Sequence, residues 1–364
     1  MRRESNGGHK LPIGKFYRIC ISIILVLLIL YLLSKLEFLL QPLMAAFNVL
    51  LLPFVLSFFF YYLFRPIVAL LHRWHLSKPL AILFLFVLIG SFMTLFLVLV
   101  WPTLQEQTME FINNLPSLAN SVQQQINLLA ERKFVGTMIQ NIDISSKVSG
   151  YLEQFVNTAT AYLSNAVSWI TSFIVVISTV PVLLYYLLKE DKKGYTSLVR
   201  ILPKKYREDA ITVVHDTDKM LSEFVLGRVV CCLLLGTLVY IGFIIIDLPY
   251  SLLLAVIVAI LNMIPYIGSI IGAIPCILIA FTDSFVSAIW VLVIILIAQQ
   301  IEGNLISPHV YGRTLNIHPL TTVLVVLVAG SVTGIIGVMI SIPVYMAVKI
   351  IVLKIVERYE AASG

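Results

Sequence analysis

The residues with most chemical potential sit in AQQIEGNLISPHVYGRTLNIHP, Ala298 to Pro319. Gln299, Gln300, Glu302 and Asn304 follow directly on the apolar run 284–297. A charged side chain at the centre of a membrane helix costs about 2.5–3.5 kcal/mol on insertion scales, so such a residue usually marks a pathway. Glu302 is therefore the leading candidate for a proton- or ion-coupled carboxylate, with Gln299, Gln300, Asn304 and Arg313 as further coupling or solute-binding candidates. A second reading stays open: Glu302 lies just past a helix end, in water or paired with Arg313. Catalytic patterns are weak by comparison. His72 and His75 have no HExxH context and no third ligand, and no histidine adjoins Ser269 to activate it as a nucleophile. No phosphate-binding glycine loop with its lysine is present, which argues against ATP-driven work by this chain. Cys20, Cys231, Cys232 and Cys276 lie in or beside apolar runs without metal or redox spacing. They read as small polarizable hydrophobes. The residues call for no enzyme, cofactor or metal.

Two apolar stretches flank this segment, and both are broken. The first, SLLLAVIVAILNMIPYIGSIIGAIPCILIAF over 251–281, carries Asn262, Pro265, Gly268, Gly272 and Pro275 at its middle. Its arms of 13 or 14 apolar residues reach roughly 20 Å, short of a ~30 Å hydrocarbon core. Proline at 265 removes a backbone donor and clashes with the preceding turn. Irregular backbone at membrane depth survives only when buried in protein or lining a cavity. The second, GSVTGIIGVMISIPVY from Gly330 to Tyr345, sets Gly330, Gly334, Gly337 and Pro343 in the middle of a long apolar stretch at 319–353. Paired Gly/Pro-broken segments point to the solute site and hinges of a secondary transporter. Close helix packing is the other reading, since Gly268/Gly272 and Gly330/Gly334 are GxxxG pairs. The two are compatible, and hydropathy alone does not separate a re-entrant hairpin from a kinked span.

The elements that must position these residues are membrane helices. The 364 residues are 60% hydrophobic and 12% charged, about half the charge of a soluble domain. The expected fold is an all-α multi-pass membrane protein of about seven or eight transmembrane segments, forming a single polytopic domain. Apolar runs place spans at about 17–36, 43–64 and 79–101, then 168–188, 229–246, the broken 251–281, 284–300 and 319–353. The basic N-terminus precedes a run too long for a signal peptide, so the first span is read as retained. Short-loop Lys and Arg orient the chain. Arg65, Arg73 and Lys78 fall in one loop, and nine basic residues from Lys189 to Arg228 in another. These, with both termini, are expected in the cytoplasm. Segment 102–166 then lies outside, with apolar stripes at Leu115, Leu118, Val122, Ile126 and Leu129 and again at 152–163. It forms either a cap folding on itself or a subunit contact. Segment 189–228 is a cytoplasmic basic piece. Within it, roughly 205–226 reads as an amphipathic helix lying in the headgroup plane or docking on its neighbours. Residues 229–353 are the C-terminal core. The +6 charge lies beside apolar runs rather than on a polar fold, which argues against nucleic acid.

The segments LNMIPYIGSIIGAIPCILIA, QQIEGNLISPHVYGRTLNIHPLTTVLVVLVAG and GVMISIPVYMAVKI resemble the AI-2E transporter family, the autoinducer-2 exporters. The likeness covers essentially the whole chain. Pro265 and Gly268, the Gln300-Glu302-Asn304 cluster and the Pro308-Gly312-His318-Pro319 loop carry it. The resemblance implies a bacterial plasma-membrane protein forming homo-oligomers, pentamers in relatives. It further implies export of a small polar solute such as the quorum-sensing signal autoinducer-2. Sodium/proton antiport using Glu302, or a non-transporting assembly role, are the alternatives the family leaves.

Overall fold

Residues 17, 20–28, 31, 37–130, 150, 154, 166–190, 199–200, 202–265, 267–308 and 317–363 are described by the structure, a computed structural model. They are helices and short turns, with no strand among them. The chain divides into two units after Pro53. In the first, the described residues are helical, including 20–28 of the expected first span and the start of α1 (Glu37–Arg73). The second unit, from Phe54 onward, contains the rest of α1 and every other element named below.

Apolar composition carries α2 (Lys78–Leu99), which buries Ala81, Ile82 and Leu85 while Phe84, Val87, Phe92 and Val98 stay exposed. A soluble protein rarely tolerates so large an apolar face, whereas lipid solvates it. Among the described residues, five helices are long and apolar enough to cross a membrane, with shorter apolar helices between them. This is an all-α, multi-pass membrane protein.

Helix α3 (Trp101–Ala130) continues almost directly from α2, with Pro102 in its first turn, where proline's missing N–H costs nothing. It corresponds to the first half of the polar segment read at 102–166; the second stripe, 152–163, falls outside the described residues. Val122 on its apolar stripe is buried. Three polar side chains of α3 hold the next helices. Asn114 donates to the Tyr250 hydroxyl (2.8 Å), Gln125 donates to the Asp283 carbonyl (3.2 Å), and Gln107 accepts from the Leu253 amide (2.9 Å). Residues 107, 114 and 125 are spaced by near-multiples of 3.6, so one face of α3 makes all three bonds. α4 (Ala166–Lys189) packs against α2.

The largest departure from the sequence reading is α5 (Arg207–Ile245). The amphipathic stretch at 205–226 and the span at 229–246 are one helix of 39 residues, so the boundary expected at 228/229 falls inside it. At 1.5 Å per residue it runs about 58 Å. Its foot is gripped from two sides. Arg65 of α1 donates to both carboxylate oxygens of Asp218, at 2.9 and 2.7 Å. Near the chain's end, Arg358 pairs with Asp209, donates to the Lys205 carbonyl (2.9 Å) and lies over the Tyr206 ring. Asp209 and Asp218 are nine residues apart, half a rotation out of phase, so the two arginines approach opposite faces of α5.

Two short helices follow, α6 (Ser251–Leu261) and α7 (Ile267–Asp283), about 16 and 25 Å long. They pack against each other and form a hairpin, settling the 251–281 stretch as a folded-back pair. α8 (Phe285–Ile301) is capped by Ser284, whose Oγ accepts from the Ser287 amide (3.0 Å), and packs on α7 and α5. The last apolar stretch, α9 (Pro319–Ser363), is interrupted at Gly334, where φ is 63° and ψ −143°. Its arms, Pro319–Gly334 and Ile336–Arg358, fold onto one another: a Cβ at Gly330 would stand 3.0 Å from Val338 Cγ2, and one at Gly337 would overlap the Ala329 carbonyl.

Candidate polar site at the hairpin tip

Two apolar clusters meet along α5. One joins Met220, Phe224, Val225 and Cys231 to residues of α1, α2, α4 and α9, among them Tyr62, Ile82, Leu188 and Ile342. The other joins Leu235, Val239 and Phe243 to Leu254, Val258, Ile279, Val291 and Ile295 on α6, α7 and α8. Arg228 lies on α5 among the residues of the first cluster, and two elements deliver polar groups to it.

From α6 comes Asn262, which closes the helix just before the break. The turn 262–265 is tight: the Ile264 amide bonds the Leu261 carbonyl (3.0 Å) and the Gly268 amide bonds the Ile264 carbonyl (3.0 Å). Such a turn brings α7 back almost into contact with α6. A Cβ at Gly268 would overlap the Leu261 carbonyl, and one at Gly272 would stand 3.1 Å from Val258 Cα. These two glycines therefore serve close packing. The turn they permit exposes the Asn262 side chain and carbonyl to Arg228.

From α8 comes Glu302. The helix does not simply end there; it widens into a π-turn, Glu302–Ile306. π-Turns are uncommon and concentrate at functional sites. This one turns Glu302 inward while Gly303, Asn304 and Leu305 stay exposed. Arg228 Nη1 donates to Glu302 Oε1 at 3.5 Å, and Asn262 Nδ2 donates to the same oxygen at 3.2 Å. Arg228 Nη2 donates to the Asn262 carbonyl and to its Oδ1 (3.3 Å). The Arg228 and Glu302 side chains are only 7% and 12% exposed, so each needs the other: an isolated buried charge is far costlier than a paired one. Arg228 Nε is buried with no partner among the described residues.

Beside this cluster lies a cavity of about 380 Å³. Arg228, Asn262, Gln299 and Glu302 face it together with Ser269, Ser307 and Thr322, and Pro265, Pro308 and Ile317 complete the wall. Among the described residues that line it, Arg228 and Glu302 are the oppositely charged pair.

Several sequence expectations change here. Glu302 is buried against Arg228, which replaces the reading of a carboxylate in water. Arg313 falls outside the described residues. Gln299 lines the cavity, but Gln300 and Asn304 face away from it and bond each other (2.8 Å) on the exposed side. Pro275 lies inside α7 and Pro343 inside the second arm of α9; neither lines the polar cavity. Gly330, Gly334 and Gly337 shape the fold of α9. Arg228, counted among the loop cations, is the residue that sequence reasoning missed. A signal was present: the apolar stripe through Met220 and Phe224, continued by four, lands on Arg228 and then runs on to Cys231 and Leu235.

A polytopic helical bundle with a broken hairpin presenting polar groups to a buried ion pair is the architecture of a membrane transport protein. The AI-2E family transporter model matches residues 19–357, and the chain belongs to that family. It is 33% identical to the "Putative transport protein YueF" of Bacillus subtilis (strain 168) over 343 residues, 93% of this chain and 92% of that protein. It is 28% identical to the "Putative transport protein YrrI" of the same organism, over 91% of this chain and 93% of that one. The "AI-2 transport protein TqsA" of Escherichia coli (strain K12) shares 24% identity over 82% of this chain and 84% of its own length.

Proposed function

We propose that this chain is a secondary transporter whose solute passes through the cavity between α5, the α6–α7 tip and the π-turn of α8, and that it exports a small polar solute. The buried Arg228–Asn262–Glu302 cluster at a broken helix is the observation that carries this reading. A closed bundle gains little from such a cluster, since apolar packing of equal volume would serve stability as well. A pathway needs it, because solute oxygens and amides can replace the internal partners one for one. In the resting arrangement Arg228 holds the hairpin tip through the Asn262 carbonyl, and Glu302 holds both. A solute accepting from Arg228 releases the Asn262 carbonyl and so loosens Arg228's hold on the tip. Autoinducer-2, named for the Escherichia coli relative, is the first cargo to test.

One observation favours a second reading, cation/proton antiport. A single oxygen, Glu302 Oε1, accepts from both Arg228 and Asn262. Protonating that carboxylate weakens both bonds at once, which would couple proton occupancy to the position of the tip.

Purified protein in liposomes separates the two. Labelled autoinducer-2 flux is followed in parallel with an internal pH dye under a sodium gradient, for the wild type and Glu302→Gln. Autoinducer-2 movement without a sodium-dependent pH change supports the exporter. A sodium-dependent pH change that Glu302→Gln abolishes makes the protein an antiporter. Absence of both from correctly inserted protein removes the transport reading.

A further inference from the structure

A second cavity, of about 290 Å³, adjoins the polar one. It runs between α1, α5 and the second arm of α9, past Phe58, Tyr62, Val225, Met339, Val344 and Ala347. Its lining is almost wholly apolar, and Arg228 is its charged member. Phe224 and Arg228 line both cavities, so the two meet at these residues, with hydrogen-bonding groups on one side and hydrocarbon on the other.

We infer that the two cavities together form a site for a single-chain amphiphile with a neutral, hydroxyl- or carbonyl-bearing head. Three observations fix that chemistry. Among the described residues the head side contains one cation and one carboxylate, already matched, so a net charge on the ligand would find no opposite charge left for it there. The remaining head-side groups, Gln299, Ser269, Ser307 and Thr322, are neutral donors and acceptors suited to hydroxyls and carbonyls. Arg228, more than nine-tenths buried, has an Nε that lacks an acceptor among the described residues, a further donor on the residue the two cavities share. On the tail side, phenylalanine, methionine and valine offer an apolar lining, and methionine adapts readily to a flexible chain. The joint volume falls within the range of small-molecule sites, about 300–1,000 Å³. The inference extends the transport reading of the polar cavity but does not depend on it, since binding is measured without flux.

The probe is 1-decanoylglycerol with a photoreactive diazirine in its chain, applied to the full-length protein in nanodiscs and mapped by peptide mass spectrometry. Labelling should concentrate on α1 and the second arm of α9, around Phe58 and Met339. Unlabelled 1-decanoylglycerol should compete at least about tenfold better than decanoate or decane. Ala347→Trp, which fills the apolar cavity, should reduce labelling about tenfold without changing the melting temperature. Gln299→Leu should remove the preference for the glycerol head while leaving residual labelling by chain alone. Equal competition by decane would show a lipid-filled surface groove and overturn the proposal. Preference for decanoate would overturn the neutral-head assignment. Unchanged labelling in a folded Ala347→Trp protein would place the chain elsewhere.

Discussion

The α6–α7 hairpin and the folded α9 look alike in sequence, GSIIGAIP against GIIGVMISIP, yet they use glycine in opposite ways. In α6–α7 the turn is built by Asn262 to Pro265, and the glycines lie beyond it, where they let α7 touch α6 backbone to backbone. In α9 the glycine is the turn. Gly334 adopts φ 63°, ψ −143°, a conformation open to glycine and strained for any other residue, and a Cβ there would meet nothing. The consequence is chemical. A turn made by asparagine carries a side chain and a kinked carbonyl to Arg228; a turn made by glycine carries nothing. In the transport reading proposed above, one hairpin serves as the site and the other as a hinge.

That contrast can be broken experimentally, and the largest effect belongs to Gly268. Gly268→Leu should prevent hairpin closure and abolish both flux and stable purification, because the new side chain would overlap the Leu261 carbonyl. Next comes Arg228→Met. It strands a buried carboxylate, so a loss of about 3–5 kcal/mol is expected, read as a clear drop in melting temperature. Pairing it with Glu302→Gln should recover much of that stability without recovering flux. Gly334→Ala should cost about 1–3 kcal/mol through backbone strain alone. Because no atom is struck, the protein should assemble while flux slows. Gly334→Asn should offer no relief over Gly334→Ala in a side-by-side flux assay, because ψ −143° lies outside the left-handed well that asparagine tolerates. The smallest effect is expected at the mouth of the hairpin. Replacing Asn114 and Gln125 together by alanine removes two partly exposed neutral hydrogen bonds, worth about 0.5–1.5 kcal/mol each at most. Hydrogen exchange should accelerate around Tyr250 and around the α7–α8 junction at Asp283, and leave the 262–268 turn unchanged.

Much of this fold was legible in the sequence because lipid imposes simple length rules. Apolar runs of about 20 residues gave spans, and runs broken by Gly and Pro gave hairpins. The join between the cytoplasmic stretch and the fifth span was not legible. A charged residue at a helix–lipid boundary looks the same whether it snorkels to water or turns inward, and Arg228 stands five residues past Glu223. The split between Gln299 and Gln300 was hidden for a related reason. Hydropathy reports polarity but not azimuth, and adjacent residues of a regular helix point about 100° apart, so two neighbouring glutamines of α8 can face cavity and exterior. The glycine pairs were read as packing and as pathway at once. Contacts around Gly268 and Gly272 show packing, with the chemistry contributed by neighbouring Asn262.

The central claim is that the cavity beneath the hairpin tip is the route of the solute. Its most direct test uses two adjacent glutamines of α8 that face different sides of the helix. Gln299 lines the cavity, whereas Gln300 is exposed and bonded to Asn304. Gln299→Trp and Gln300→Trp proteins of matched melting temperature would be compared for solute or cation flux in the same liposomes. The account predicts that Gln299→Trp blocks flux and that Gln300→Trp retains it. Equal flux in the two variants would contradict it and move the pathway elsewhere in the bundle.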